Sequence, residues 1–182
     1  PAWPRQVLLA VSSLALLWGW PLVAALVLMA WIGLLRPAEY IDSRRAHLVL
    51  PSDMMHQLPH AYLIIAEPKT RLRAARQQTA QIDPPDAVAL ITALFKDAPP
   101  SAKLWPQNGA SLRGRFRHLL ASLQLPGGHP ASSSGLRPLD LAGLRAGGAT
   151  YLLQRTEDYE LVRHRGRWLS VKSMNVYIQE AS

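Results

Sequence analysis

The sequence predicts a mainly helical α+β fold with one small three-stranded antiparallel sheet, in a single domain over residues 1–182. Three observations predict it. An uncharged apolar run occupies residues 7–35. Three short stretches with strand character come next, at 47–50, 61–66 and 78–82. From Pro84 onward the apolar residues recur at helical spacing. At 182 residues and 49% hydrophobic content the chain can bury a real core, which argues against disorder.

The apolar run comes first. Its length alone would span a bilayer, for which about 20 apolar residues suffice. Pro21 argues otherwise. It has no N–H and breaks the run into two helices, 6–18 and 20–35, each of a length ordinary for a buried core helix. Ser12, Ser13 and Gly19 also interrupt the apolar surface. A signal peptide fits poorly, because Arg5 is the only charge before the run and no small-residue cleavage site is present after it. A membrane-anchored protein is the weaker reading and a core helix pair the stronger.

The run ends in Gly33-Leu34-Leu35-Arg36-Pro37-Ala38-Glu39. Pro37 biases Arg36 away from helical geometry, so the arginine sits at a bend. An acidic residue stands three positions later. Between the second and third strands lies a basic tip with Lys69, Arg71, Arg73 and Arg76. By composition it is a solvated hairpin turn.

Pro84-Pro85 opens a helix whose Val88, Ile91, Leu94 and Phe95 face the core. A loop at 97–105 leads to a helix at 110–123, with Leu112, Phe116, Leu119, Leu120 and Leu123 as its apolar stripe. Arg113 and Arg117 share one face of that helix. Like charges at i and i+4 destabilise a helix, and phosphate contact would give them a use. Residues 126–135 are loop by composition. A helix at 139–153 comes next, with Asp140 as its cap, then a short helix at 157–164. A last helix, capped by Ser170, carries Tyr177. Arg163, Arg165 and Arg167 form a basic run just before Trp168.

Charge bounds the partner. The net charge is +8, and most of the positive residues are arginine. The charge points to an anionic partner, nucleic acid or an acidic membrane surface, with a soluble protein that happens to be basic as the alternative; arginine's planar fork matches phosphate oxygens in pairs. The chain has no cysteine, which excludes disulfides, cysteine-ligated zinc and thiol nucleophiles.

Five positions carry more than their local context explains: Arg36 in Gly-Leu-Leu-Arg-Pro-Ala-Glu, Lys69 on the hairpin, Arg145 before Gly147-Gly148, Trp168 in Gly-Arg-Trp, and Tyr177 nine positions beyond it. Their order and spacing resemble the catalytic domain of tyrosine recombinases of the phage-integrase type, from about Trp20 to Ile178. The resemblance implies DNA strand breakage and rejoining through a covalent 3′-phosphotyrosyl intermediate. Tyr177 would be the nucleophile, Arg36 and Arg145 the phosphate ligands, and Lys69 the general acid. Trp168 would stand where many members have histidine. Arg71, Arg73, Arg113, Arg117, Arg165 and Arg167 would hold the DNA backbone. The chemistry implied needs neither metal nor cofactor. The partner implied is double-stranded DNA, bound by a homo-oligomer, a tetramer on paired sites. No membrane is expected, and the family's N-terminal DNA-clamp domain would lie outside this sequence.

One departure is plain. The family's second arginine normally lies in His-x-x-Arg, and here position 142 is alanine. No imidazole is present there to take the tyrosine proton, and His164 is the candidate substitute. Two functions therefore stand: an active recombinase or integrase, and an inactive DNA-binding descendant of one.

Overall fold

The computed structural model describes residues 2–54, 58–66, 78–127 and 138–178. Its centre is helix α2, Pro21–Ile32, in which Val23, Ala24, Ala25, Leu26, Val27, Met29, Ala30 and Trp31 are all buried. A helix apolar on every face can only sit inside a fold. Pro21 begins it, where a missing N–H costs nothing. Helix α1, Arg5–Leu17, packs against it through Leu8, Val11 and Ala15. At 13 residues α1 has the expected length, one position earlier than 6–18, and α2, at 12, is shorter than the expected 20–35; at ~1.5 Å per residue neither covers the ~30 Å of a hydrocarbon core. Among the described residues no helix is long and apolar enough to cross a membrane.

The end of α2 fixes the direction in which the chain enters the next helix. Leu34 takes φ 51°, and the Leu35 N–H returns to the Ala30 carbonyl at 2.9 Å, closing the helix with a left-handed residue. Arg36 is extended, as Pro37 demands, and the short helix α3, Pro37–Ile41, starts at once.

The sheet has the expected three antiparallel strands in the order β1 (Leu48–Val49), β2 (Ala61–Ile65), β3 (Gln78–Ile82). Leu48 faces Leu63 and Ala61 faces Ile82. Ala61, Leu63 and Ile65 alternate inward, as do Ala80 and Ile82, so one face of the sheet joins the core. The first strand is two residues long, shorter than expected, because the chain coils into 3-10 turns on either side.

Four of the remaining helices occur in the predicted order: α4 (Pro85–Phe95), α5 (Gly109–Ser122), α6 (Gly143–Thr156) and α7 (Tyr159–Gly166). Leu112, Phe116, Leu119 and Leu120 are buried on α5 as their spacing requires. Helix α6 begins later than expected, at Gly143. Asp140 still caps it, its Oδ1 accepting the Gly143 N–H at 2.7 Å. Gly147 and Gly148 let α6 lie against its neighbours: a Cβ on Gly147 would stand 2.5 Å from the Trp3 backbone, and one on Gly148 would strike the Trp31 carbonyl. The last helix, α8, Val171–Asn175, is capped by Ser170 as expected but ends before Tyr177, which occupies the turn after it.

A smaller apolar cluster, Leu34, Ala149, Leu153, Val162, Trp168 and Met174, ties α6, α7 and α8 to the end of α2. Tyr177 packs on its edge.

Candidate active site

The α2–α3 corner supplies the first half of the site. The Glu39 side chain is only 6% exposed and turns back over its own helix start. Its Oε2 accepts the Arg36 backbone N–H at 2.8 Å, and its Oε1 accepts Arg36 Nη1 at 2.8 Å. A carboxylate three residues into a helix satisfies an orphan N–H and meets the positive end of the dipole. Arg36 itself stays 22% exposed, at the rim of the site.

Helix α6 supplies the second half. The Arg145 side chain is 2% exposed. Its Nη1 donates to the Leu34 carbonyl at 2.8 Å and its Nη2 to the Gly166 carbonyl at 2.6 Å. Nη1 also lies 3.9 Å from Glu39 Oε2. The guanidinium carbon sits 4.4 Å from the Trp168 ring centre and 5.5 Å from that of Tyr177. Burial, and after it repulsion from Arg36 and Arg167, pushes its pKa down to about 9, with Glu39 and Tyr177 opposing. Arg145 is therefore still a cation at neutral pH.

Trp168 forms the floor. Its backbone N–H donates to the Arg163 carbonyl at 3.0 Å and its own carbonyl accepts Arg163 Nη1 at 3.2 Å. Gly166 is glycine because a Cβ there would run into the Trp168 ring. Tyr177 leans on Trp168, ring centres 5.3 Å apart at 49°. The Trp168 indole Nε1 and Arg145 Nε are buried with no hydrogen-bond partner among the described residues. Buried donors of this kind are usually satisfied.

The structure brings Arg36, Arg145, Trp168 and Tyr177 together. Lys69, Arg71 and Arg73 lie outside the described residues. Arg113 and Arg117 stand exposed on α5, where they line a cavity of about 430 Å³ with Pro37 and Ala142. Arg165 is only partly exposed, and its Nη2 pairs with Asp83. His164 turns outward at 71% side-chain exposure, beside Glu160 and Arg163.

Two residues matter more than their sequence context shows. Glu39 carries the arginines, and its one signal was its position three residues after Arg36. Arg167 points inward, donating to the Gly33 and Leu34 carbonyls at 3.0 Å and to Glu39 Oε2 at 2.9 Å. Nothing in the basic run 163–167 distinguishes it from its neighbours. Burial lowers its pKa, Glu39 opposes this, and Arg36 adds to it. Three guanidiniums around one carboxylate leave a net charge of +2 among the described residues, so the arrangement favours an anion. Among the described residues no His, Asp and Glu cluster could hold a metal.

This fold, with its helical body and small sheet, is recombinase-like. A solved structure that matches it is the crystal structure of the XerH site-specific recombinase bound to palindromic difH substrate, a post-cleavage complex, at a TM-score of 0.69 and 11% identity. The match covers 100% of this chain and 49% of that one, so the chain spans about half the length of its structural neighbour. No protein-family model and no curated protein matches the chain.

Proposed function

We propose that this chain is the catalytic domain of an enzyme that breaks and rejoins DNA strands in site-specific recombination or integration. One observation supports this reading above the others. Arg36, Arg145, Trp168 and Tyr177, spread over 141 positions of sequence, share one basic cluster, with Arg145 against both the Trp168 and Tyr177 rings. The neighbour XerH is described as a site-specific recombinase bound to palindromic difH substrate in a post-cleavage complex.

In this reading the Tyr177 oxygen attacks the scissile phosphorus. A phosphorus–tyrosine bond forms, the bond to the 5′ oxygen breaks, and the 3′ phosphate stays on the protein. Arg36 and Arg145 meet the negative charge that grows on the non-bridging oxygens, and the Trp168 indole N–H donates to one of them. Lys69 gives a proton to the departing 5′ oxygen. The phenol proton finds no side-chain base at Ala142, which is exposed on a cavity wall, and leaves to water. Attack by a 5′ hydroxyl on the phosphotyrosine reverses the step and rejoins the strand. Double-stranded DNA is the substrate, and a homo-oligomer assembles on it.

The second reading is an inactive DNA-binding descendant, favoured by Ala142 alone. A randomised pool of nicked DNA duplexes separates the two. In such duplexes the short 5′ fragment diffuses away and traps any adduct. The wild type should yield a protein–DNA band under denaturing conditions. Tyr177→Phe should yield none while binding DNA with nearly unchanged affinity. DNA binding without an adduct in the wild type would select the descendant.

A further inference from the structure

Arg167 holds a backbone conformation, φ 59°, that side chains other than glycine seldom adopt. It caps the end of α7, where glycine would fit without strain. Its side chain is nonetheless 7% exposed and reaches across the fold. Nη1 donates to the Gly33 carbonyl at 3.0 Å and the Arg165 carbonyl at 3.3 Å; Nη2 donates to the Leu34 carbonyl at 3.0 Å and to Glu39 Oε2 at 2.9 Å. Two of these acceptors are shared. The Leu34 carbonyl also takes Arg145 Nη1 at 2.8 Å, and Glu39 Oε2 also takes the Arg36 N–H at 2.8 Å. Both Nη atoms are engaged with the protein and Nε is buried.

We propose that Arg167 is a positioning residue of the phosphate site: it locks the Leu34 carbonyl and the Glu39 carboxylate that hold Arg145 and Arg36, and it makes no contact with DNA. This rests on the recombinase reading above. Nη2 fixes the Leu34 carbonyl and the Glu39 carboxylate together, and Nη1 ties the head group to the Gly33 and Arg165 carbonyls, so both arms of the fork are used. These four bonds use all four Nη hydrogens of Arg167, whereas Arg145, with one bond from each Nη, keeps a hydrogen on each for a phosphate oxygen.

The test is Arg167→Gly, which keeps the left-handed backbone comfortable and removes only the side chain. Three measurements are made. The salt dependence of affinity for a random-sequence duplex counts phosphate contacts and should be unchanged. The rate of adduct formation on the nicked pool should fall at least tenfold. In the free protein, Arg145 followed by its guanidinium carbon resonance should titrate at higher pH, because of the groups facing it (Arg36, Glu39, Arg167 and Tyr177) one cation is gone and Glu39 is freed.

A salt slope lower by about one charge, an unmoved Arg145 midpoint, or a wild-type adduct rate would each overturn the proposal. If the wild type itself forms no adduct, the recombinase reading fails, while the slope and the Arg145 titration still decide whether Arg167 positions the cluster. Should the glycine variant not fold, Arg167→Gln, which keeps an amide donor and removes the cation, is read on the same three measurements.

Discussion

The guanidinium of Arg145 lies 4.4 Å from the centre of the Trp168 ring, and the two side chains are 2% and 5% exposed. A desolvated cation on an indole face is worth about 2 kcal/mol or more. The ring also shields the hydrogen bonds that Arg145 makes to the Leu34 and Gly166 carbonyls. Trp168 therefore combines two tasks, a flat floor beneath the arginine and an indole N–H without a partner among the described residues.

Those tasks separate on substitution. Trp168→Phe keeps an aromatic floor and loses the donor. Its urea midpoint should correspond to a loss of about 1–3 kcal/mol, because the smaller ring leaves part of the indole's volume empty. Its adduct rate on nicked duplexes should fall about tenfold to a hundredfold, the worth of one hydrogen bond to a charged oxygen. Equal rates in both proteins would remove the indole N–H from the reaction.

Glu39 is the carboxylate on which the cluster depends. Glu39→Gln keeps the shape and removes the only negative charge among the described residues that holds Arg36 and Arg167 and approaches Arg145. Breaking a buried charge cluster by removing one sign costs on the order of 3–5 kcal/mol. Urea unfolding should show a loss in that range. A loss under 1 kcal/mol, about the worth of a surface pair, would mean that water already screens the arginines.

Ala142→His restores an imidazole at the position the sequence lacks. The side chain has room, because Ala142 is exposed on the wall of the cavity it shares with Pro37 and Arg113. A placed general base contributes about a hundredfold to ten-thousandfold. The adduct rate should rise by at least tenfold, with a new dependence on pH near 6.5, the ordinary histidine value. An unchanged rate would show that proton removal from Tyr177 does not limit the reaction.

Acid stability has a separate handle. Asp53 accepts from Arg45 Nη2 at 2.6 Å, and that bond is the main cause of its lowered pKa. A carboxylate with a depressed folded pKa stabilises the fold fully above its unfolded value, near pH 4, and loses that contribution as pH falls through the folded value. Asp53→Asn should therefore be less stable than wild type at pH 6, with the gap closing below pH 4. A constant gap in urea unfolding across pH 2–6 would sink the assignment.

Arg113 and Arg117 illustrate how far composition carries. Their spacing on α5 put them on one exposed face, and the structure places them there. The same composition could not tell Arg167 from Arg163 or Arg165. All three stand in one basic run, yet Arg163 reaches Glu160 and the Trp168 carbonyl, Arg165 reaches Asp83, and Arg167 alone enters the cluster. The difference arises where α7 ends, in the left-handed turn at Arg167, and side-chain order along a chain does not encode the direction of a turn.

Local chemistry was legible in the sequence by itself. Pro21 starts α2 and Pro37 holds Arg36 extended. The 3.6-residue period buries one stripe of α5, and strand alternation turns one face of the sheet inward. Each of these is settled within a few residues, by a missing N–H, a steric clash or a periodicity. The order and spacing of Arg36, Arg145, Trp168 and Tyr177 marked them as one group. What only the tertiary structure decided is how the group is held. Arg145 meets the Leu34 carbonyl across 111 positions, and Arg167 meets Glu39 across 128. Such pairs form only after α2 and α6 pack, a contact that Gly148 makes possible by letting the Trp31 backbone approach. Packing brings the charges close enough, and dry enough, for one carboxylate to organise three arginines.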